Sequence, residues 1–290
     1  MAVTAALVKT LRERTGAGML DCKKALVETG GDIERAVDLL REKGIAKAAK
    51  KAGRIAAEGL CSIRLDGNRA VLFELNSETD FVAKNQSFLD LLENIGTALI
   101  ESGKTDLEDA LKLDMGGKTL EDVIIEATAR IGEKLSLRRL VSIEKTSDET
   151  FGAYTHMGGK IVSLSVITGD DGTVAKDIAM HVAAENPQYV DRSQVSESVL
   201  AHEREILKNE ALNEGKPEHI VDKMVVGRLN KYLQSICLVD QPFVKDQDIT
   251  VKDYLKRHDA EIRTFVRLEV GEGIEKRQED FACEVQAQMK

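Results

Sequence analysis

The stretch Ser77-Glu78-Thr79-Asp80-Phe81-Val82-Ala83-Lys84-Asn85 separates two segments with different hydrophobic periodicities. A nearly continuous apolar run precedes it at 70–75, which is typical of a buried strand. After it, large apolar residues recur at steps of three and four between 88 and 99, which predicts a helix over residues 83–102. A strand is therefore followed directly by a helix, and functional side chains often project from such rigid junctions.

Phe81 is the unusual residue of this stretch, because it places a large apolar ring in a polar turn. Thr79 or Asp80 can cap the helix, since a side-chain oxygen there accepts a hydrogen bond from an unpaired amide. The Phe81 ring either packs under the turn as a hydrophobic staple or projects toward a partner. Periodicity alone favours the staple, because most such aromatic side chains are packing residues.

An internal repeat organises the middle of the chain. The sequence Asp66-Gly67-Asn68 between apolar runs predicts a β-hairpin at 60–75. A second hairpin at 152–168 and a helix at 175–184 follow at an offset of 92 residues, since Gly159 matches Gly67 and Leu164 matches Leu72. The spacing implies two α+β subdomains of one ancestry, each with an antiparallel sheet backed by helices.

The second copy of the repeat is longer than the first. Its closing strand, 264–270, matches the strand at 136–142 at an offset of 128, so the second copy gains 36 residues. The gain predicts an inserted helical hairpin at 187–232, with Val195, Val199 and Ile206 at heptad-like steps of an antiparallel coiled coil. The core subdomains are then 55–145 and, on both sides of the insertion, 146–186 with 233–270. The remaining periodic segments predict helices at 120–132 and 249–257 and a strand at 135–143.

Residues 1–54 predict a separate three-helix domain with a basic surface. They hold 12 Lys and Arg against 7 Asp and Glu, whereas the rest of the chain holds 29 against 43. The expected helices are 4–14, 19–29 and 33–43, followed by a charged helical linker at 45–54. The expected core consists of Leu7, Val8, Leu11, Leu20, Ala25, Leu26, Ile33, Val37 and Leu40.

Composition excludes several classes of protein. No apolar run approaches the roughly 18 residues of a membrane span, and the N-terminus resembles neither a secretory signal nor a transit peptide, so a cytoplasmic protein is expected. The four cysteines are far apart and form no C-x-x-C pair, which argues against a zinc site and for reduced thiols. We expect no metal and no cofactor.

The motifs that could carry chemistry are incomplete. The triplets Gly103-Lys104-Thr105 and Gly117-Lys118-Thr119 lack the earlier glycine of a phosphate-binding loop, where Ala98 and Lys112 stand instead. His181 could act as a base, but no nucleophile pattern accompanies it. Glu78 and Asp80 could form a carboxylate pair, although successive acidic side chains in a turn are more often solvated. Nothing in the sequence requires an enzyme.

Three function classes stay open on these grounds. The basic N-terminal domain could bind RNA as an accessory of translation, but the acidic remainder has few aromatic residues for base stacking. An enzyme that uses nucleoside triphosphates is disfavoured by the missing loop glycines. A protein that binds another protein through a charged face is the favoured class.

Four segments resemble the bacterial elongation factor Ts family, in the order of that family. The longest is Leu11 to Leu26, which reads LRERTGAGMLDCKKAL, and the second is Thr79-Asp80-Phe81-Val82. His181-Val182-Ala183-Ala184 and Gly271-Glu272-Gly273-Ile274-Glu275-Lys276 are similar to later landmarks. The similarity extends from about residue 4 to residue 285.

The resemblance implies a guanine-nucleotide exchange factor for elongation factor Tu, without covalent chemistry of its own. It implies binding to both the GDP-bound and the nucleotide-free partner, in a heterodimer or a higher-order complex, with no membrane and no direct nucleic-acid contact. The implied fold is a ubiquitin-associated-like three-helix bundle, a two-part core, a coiled-coil insertion and a C-terminal helical module at 271–290.

The resemblance also implies the contact residues. By analogy, Thr79, Asp80, Phe81 and Val82 bind the partner and disturb its magnesium and phosphate site, which reverses the staple interpretation of Phe81. Arg12, Met19 and Leu20 match N-terminal positions that contact the same domain of the partner. The second repeat reads Gly169-Asp170-Asp171-Gly172-Thr173-Val174 and lacks the Phe. Only the first copy is therefore expected to carry the wedge, that is, the Phe81 side chain inserted into the partner.

Overall fold

The computed structural model describes residues 3–215 and 217–275, and it has an α+β fold. The described residues form two compact units. The described residues of the first unit fall within Met1–Asp66, Ala70–Ile143 and Glu269–Lys290. The described residues of the second unit fall within Gly67–Arg69 and Glu144–Leu268. The predicted C-terminal helix after residue 275 lies outside the described residues. Within these residues, no helix has the length and apolar character needed to cross a membrane.

The first unit begins with three helices around a small core. They are α1 (Ala5–Thr15), α2 (Met19–Glu28) and α3 (Ile33–Ala49), and Thr4 and Asp32 cap α1 and α3 with their side chains. The prediction that Leu20 lies in this core is wrong, because its side chain is 72% exposed. The buried core residues are Val8, Leu11, Cys22, Ala25, Leu26 and Ala36.

A three-stranded sheet backed by helices completes the first unit. Strands β1 (Glu58–Asp66), β2 (Arg69–Ser77) and β3 (Ser136–Glu144) are arranged in the order β1-β2-β3. The helices are α4 (Asp80–Ala83), α5 (Gln86–Ser102), α6 (Leu107–Leu111) and α7 (Leu120–Ile131). Helix α3 packs on α7, where Arg41 pairs with Glu126 at 3.4 Å.

The single helix predicted over residues 83–102 is wrong at its start. The chain forms the one-turn helix α4 and then begins α5 at Gln86, because Asn85 is an N-cap residue. Its side-chain oxygen accepts a hydrogen bond from the Ser87 amide at 2.9 Å. The break leaves Phe81 on a short helix of its own rather than on the long amphipathic helix.

The second unit contains a sheet with the same sequential order of strands as the first. It consists of β4 (Glu149–His156), β5 (Ile161–Thr168) and a later strand (Ile262–Glu269), with β5 in the middle. Helix α8 (Gly172–Glu185) packs on this sheet. Two longer helices follow, α9 (Glu197–Asn213) and α10 (Glu218–Ile236), and they pack on each other.

The interface of these two helices differs from the predicted heptad stripe. Ile206, which the stripe placed inside, is exposed, and the next turn of the interface uses Leu207 and Ala211 against Val221 and Val225 instead. A separate cluster that includes Val195, Leu233 and Ile236 holds the base of the hairpin. Which residues of a helix meet its neighbour depends on how the two helices pack, and sequence spacing alone does not determine this.

A short ribbon after α10 was not predicted. Strands β6 (Pro242–Phe243) and β7 (Asp246–Thr250) pair antiparallel and precede α11 (Val251–Arg257), and the strand at Ile262–Glu269 is then β8. Ile249, predicted as the start of a helix, lies in β7. The helix begins at Val251 because Thr250 and Asp253 form a reciprocal capping box.

Candidate partner-binding site

The segment Thr79–Val82 leaves the end of β2 as a tight turn. Thr79 has an extended backbone and is the N-cap residue of α4, and its hydroxyl oxygen accepts a hydrogen bond from the Val82 amide at 3.4 Å. Val82 is half-buried against the core of the first unit, and Ala83 is buried. One side of α4 is therefore anchored, and its first residues face away from the core.

Thr79 is fixed from outside the turn by Glu133, which lies just after α7. The Glu133 carboxylate accepts hydrogen bonds from the Thr79 amide at 2.9 Å and from the Thr79 hydroxyl at 2.7 Å. The Ser77 hydroxyl donates to the Thr79 carbonyl oxygen at 2.9 Å. Three polar contacts thus determine where the helix starts, and two of them involve a carboxylate, which makes them stronger than neutral ones.

Glu78 is also fixed, so its predicted solvation is wrong. Its side chain is only 19% exposed, and its carboxylate accepts a hydrogen bond from the Lys134 amide at 2.6 Å. The Arg54 guanidinium pairs with the same carboxylate at 3.1 Å. Glu78 therefore holds the backbone in place, and it does not form a catalytic pair with Asp80.

The Phe81 ring projects into solvent. Its side chain is 79% exposed, the largest exposure among the large apolar residues of the described chain, so the staple interpretation is wrong. Beside it, Asp80 pairs with Lys84 at 2.7 Å across one helical turn. Exposed pairs of this kind contribute at most about 1 kcal/mol, and this one leaves the acidic group at the surface next to the ring.

The predicted N-terminal contact residues are exposed as well. Met19 and Leu20 are 58% and 72% exposed at the start of α2, and Arg12 is exposed on α1. Val27, which sequence reasoning did not single out, is 62% exposed and lines one cleft with Leu20. Its spacing of seven residues from Leu20, two helical turns, was the signal that could have found it.

His181 is a structural residue and not a base. It is buried, its Nδ1 accepts a hydrogen bond from the Val244 amide at 3.1 Å, and its Nε2 lies 2.9 Å from the Gln241 side-chain oxygen. The imidazole is therefore neutral with its proton on Nε2. Burial lowers its pKa, and the hydrogen bond to Gln241 only partly opposes this effect.

We expect the free energy of unfolding to fall on acidification because of His181. The lowered pKa in the folded state means that the neutral imidazole stabilises the fold fully above the unfolded value of about 6.5, and this stabilisation is lost as the pH falls below that value. Denaturant titrations between about pH 8 and pH 5 should show this loss. His181→Asn, which keeps an acceptor near Nδ1 but does not titrate, should have a shallower pH dependence, and an unchanged slope would contradict the assignment.

The other candidate motifs serve local structure. Lys118 pairs with Glu126 at 2.6 Å, and Thr119 caps α7 in a capping box with Asp122. Cys22, Cys61 and Cys237 are buried free thiols, and burial raises the pKa of Cys61 to about 12, which makes it unreactive at neutral pH. Within the described residues, no three His, Cys, Asp or Glu side chains are grouped to hold a metal ion.

Comparisons with known proteins show the family of the chain. The family model described as Elongation factor TS matches residues 78–272, a range that includes the whole Thr79–Val82 turn. A protein named Elongation factor Ts from Acholeplasma laidlawii (strain PG-8A) is 58% identical over 294 residues, which cover 100% of this chain and 99% of that protein. The chain belongs to the elongation factor Ts family. Membership makes it a translation elongation factor of the nucleotide-exchange class, which acts on a protein partner and carries out no covalent chemistry.

Proposed function

We propose that the chain binds elongation factor Tu, with GDP or without nucleotide, and accelerates GDP release by inserting Asp80 and Phe81 beside the magnesium and phosphate site of that partner. The observation that carries this proposal is the exposure of the Phe81 ring on a turn whose backbone is fixed. An exposed Phe contributes nothing to the stability of its own chain, whereas its burial in a partner is worth about 2 kcal/mol.

Asp80 has a different part in the proposed contact. Its carboxylate is exposed beside Phe81 and already paired with Lys84. A negative charge brought close to bound magnesium and phosphate alters the electrostatic balance of that site, because the ion and the phosphates are its largest local charges. Thr79 and Val82 hold the two ends of the turn and border the same contact.

Arg12, Met19 and Leu20 form a second contact with the partner in this proposal. The two apolar side chains are exposed at one end of α2, and Val27 extends the apolar surface along the same helix. Lys23 and Lys24 line the same cleft as Leu20 and Val27, together with the ion pair of Lys43 and Glu28, so the apolar residues have charged margins. A broad contact with charged margins and an apolar centre fits a transient, specific protein interface.

Exchange follows from thermodynamic linkage between two ligands of one protein. If the exchange factor lowers the affinity of the partner for GDP a given number of times, then GDP lowers the affinity of the partner for the exchange factor by the same ratio. A contact that is broad enough to oppose a tightly bound nucleotide must therefore still be released when new nucleotide binds. Several moderate contacts together with one inserted side chain meet both requirements.

The finer architecture is part of the same proposal. Residues 1–54 form a ubiquitin-associated-like domain, 55–145 and 146–186 with 233–270 form the repeated core, and 187–232 form an inserted coiled coil. The C-terminal module predicted at 271–290 lies mostly outside the described residues. The protein acts in the cytoplasm in a heterodimer or a higher-order complex with its partner, without direct contact with nucleic acid.

Release of a fluorescent GDP analogue from elongation factor Tu, followed by stopped-flow fluorescence, tests the proposed function. The full chain should raise the release rate in a concentration-dependent and saturable manner, and excess GDP should weaken its binding to the partner in calorimetry. Release at the spontaneous rate across the whole concentration range would refute the proposal.

A further inference from the structure

We infer that Glu133 is a positioning residue for exchange: it holds the Thr79–Val82 turn so that Phe81 faces the partner. The inference rests on the proposed function and adds to it a residue that lies outside the turn. Glu133 is 54 positions from Thr79 along the chain, and its side chain is the one that binds both the amide and the hydroxyl of Thr79.

Glu133 supplies two of the three polar contacts that fix the helix start. Its two carboxylate oxygens take one hydrogen bond each, at 2.9 Å from the Thr79 amide and 2.7 Å from the Thr79 hydroxyl. The same hydroxyl oxygen accepts the Val82 amide and so closes the first turn of α4. Because Phe81 lies between these two residues, the direction of its Cα–Cβ bond is fixed by the position of Thr79.

The residues on both sides of Glu133 reinforce this arrangement. The Lys134 amide donates to the Glu78 carboxylate at 2.6 Å, and the Lys134 ammonium donates to the Arg54 carbonyl oxygen at 3.0 Å. Lys51 binds the Gly132 carbonyl oxygen. Residues 132–134 thus form one turn that binds the segment after α3 on one side and residues 78–79 on the other.

Packing of Val82 and Ala83 anchors only one side of helix α4 and does not fix its start. The helix has four residues, which is one turn, and an isolated turn of helix is unstable in water. The exposed Phe81 ring adds no packing of its own. Without Glu133, the turn would sample several orientations, and ordering them again on binding would cost free energy that a preorganised turn does not require.

We test this with Glu133→Ala in the stopped-flow assay of GDP release at saturating exchange factor. We expect the maximal release rate to fall about tenfold, which corresponds to the loss of roughly one charge-assisted hydrogen bond. Glu133→Gln should give an intermediate rate, because its amide oxygen accepts only one of the two hydrogen bonds. Asp106→Ala is the matched control: it removes a carboxylate that accepts two backbone amides at the start of α6, and it should leave the rate unchanged.

A double-mutant cycle separates positioning from general loss of structure. In the Phe81→Ala background, Glu133→Ala should change the rate by less than about twofold, because the side chain that it positions is gone. A full tenfold loss in both backgrounds, or a normal rate for Glu133→Ala while Phe81→Ala is slow, would overturn the positioning inference alone. A normal rate for Phe81→Ala would overturn the proposed wedge together with it. If Glu133→Ala does not fold, Glu133→Gln is carried through the same cycle.

Discussion

Phe81→Ala should slow GDP release from elongation factor Tu about thirty-fold, since burial of a Phe ring is worth about 2 kcal/mol and each 1.36 kcal/mol is a factor of ten. The melting temperature of the variant should stay nearly unchanged, because Phe81 is 79% exposed and so contributes little buried area to the fold. The measurement pairs stopped-flow release of a fluorescent GDP with a thermal melt of each variant.

Phe88 provides the matched contrast for this prediction. It is the next Phe along the chain, it lies on α5, and it is fully buried in the core of the first unit. Phe88→Ala should cost about 3–5 kcal/mol of stability, while the exchange per folded molecule is retained. Leu65→Ala, at another exposed apolar residue of the same unit, should change neither the stability of the protein nor the rate of GDP release. A strongly destabilised Phe81→Ala with normal release per folded molecule would place Phe81 in the core and exclude the wedge.

Asp80→Ala should belong to the same functional class with a smaller effect. The carboxylate is exposed and paired with Lys84, so it gains less on docking than an apolar ring does.

The signals by which such a site can be recognised in the sequence are local. A strand, a capping threonine and a helical periodicity are all encoded within about ten residues, and these signals placed Thr79 and Phe81 at a junction.

The contacts that fix the junction could not be predicted in the same way. Glu133 reaches Thr79 across 54 positions, and Lys134 reaches Glu78 across 56, and no periodicity relates such distant residues. The break between α4 and α5 at Lys84 and Asn85 could have been predicted, because Asn is a strong N-cap residue. The regular apolar steps after it favoured one continuous helix instead. Local rules therefore located the turn, and tertiary contacts determined its orientation.

Glu74 shows the same limit within a strand. It lies in the apolar run of β2 and is fully buried, where Arg138 and Arg139 bind its carboxylate together with the Gly271 amide. Burial alone would raise the pKa of Glu74, but the hydrogen bonds from the Gly271 amide, Asn76 and Arg139 outweigh it and lower the pKa below its usual value. Alternation along the strand cannot reveal a buried charge whose partners lie on β3 and near residue 271.

Leu20 illustrates an error in the opposite direction. Helical spacing placed it in the core of the three-helix domain, yet it is exposed beside Met19. An apolar residue at a helix start fits both a core and a docking surface, and the periodicity is the same for both. The resemblance to a family, and not the spacing, is what predicted that Leu20 contacts the partner.

Gly152→Ala should destabilise the second unit by about 4 kcal/mol or more, although it adds only one methyl group. Gly152 lies on β4, directly beneath α8, and a Cβ atom there would be 2.0 Å from the carbonyl carbon and oxygen of Ala175. Both are backbone atoms, and the Ser165 hydroxyl already donates to this oxygen at 2.6 Å. The helix would have to move away from the sheet, and guanidinium titration monitored by circular dichroism measures the cost.

Gly227→Ala is the control, for which we expect a gain in stability instead of a loss. Gly227 lies within α10 of the same unit, and a Cβ atom there would meet nothing within 4 Å. The added methyl group should therefore stabilise the protein by about 0.5–1 kcal/mol, because alanine favours a helix interior more than glycine does. If Gly152→Ala lowers the free energy of unfolding by less than about 1 kcal/mol, then α8 can move off the sheet at little cost. The close packing of helix on strand would then not be what stabilises the second unit.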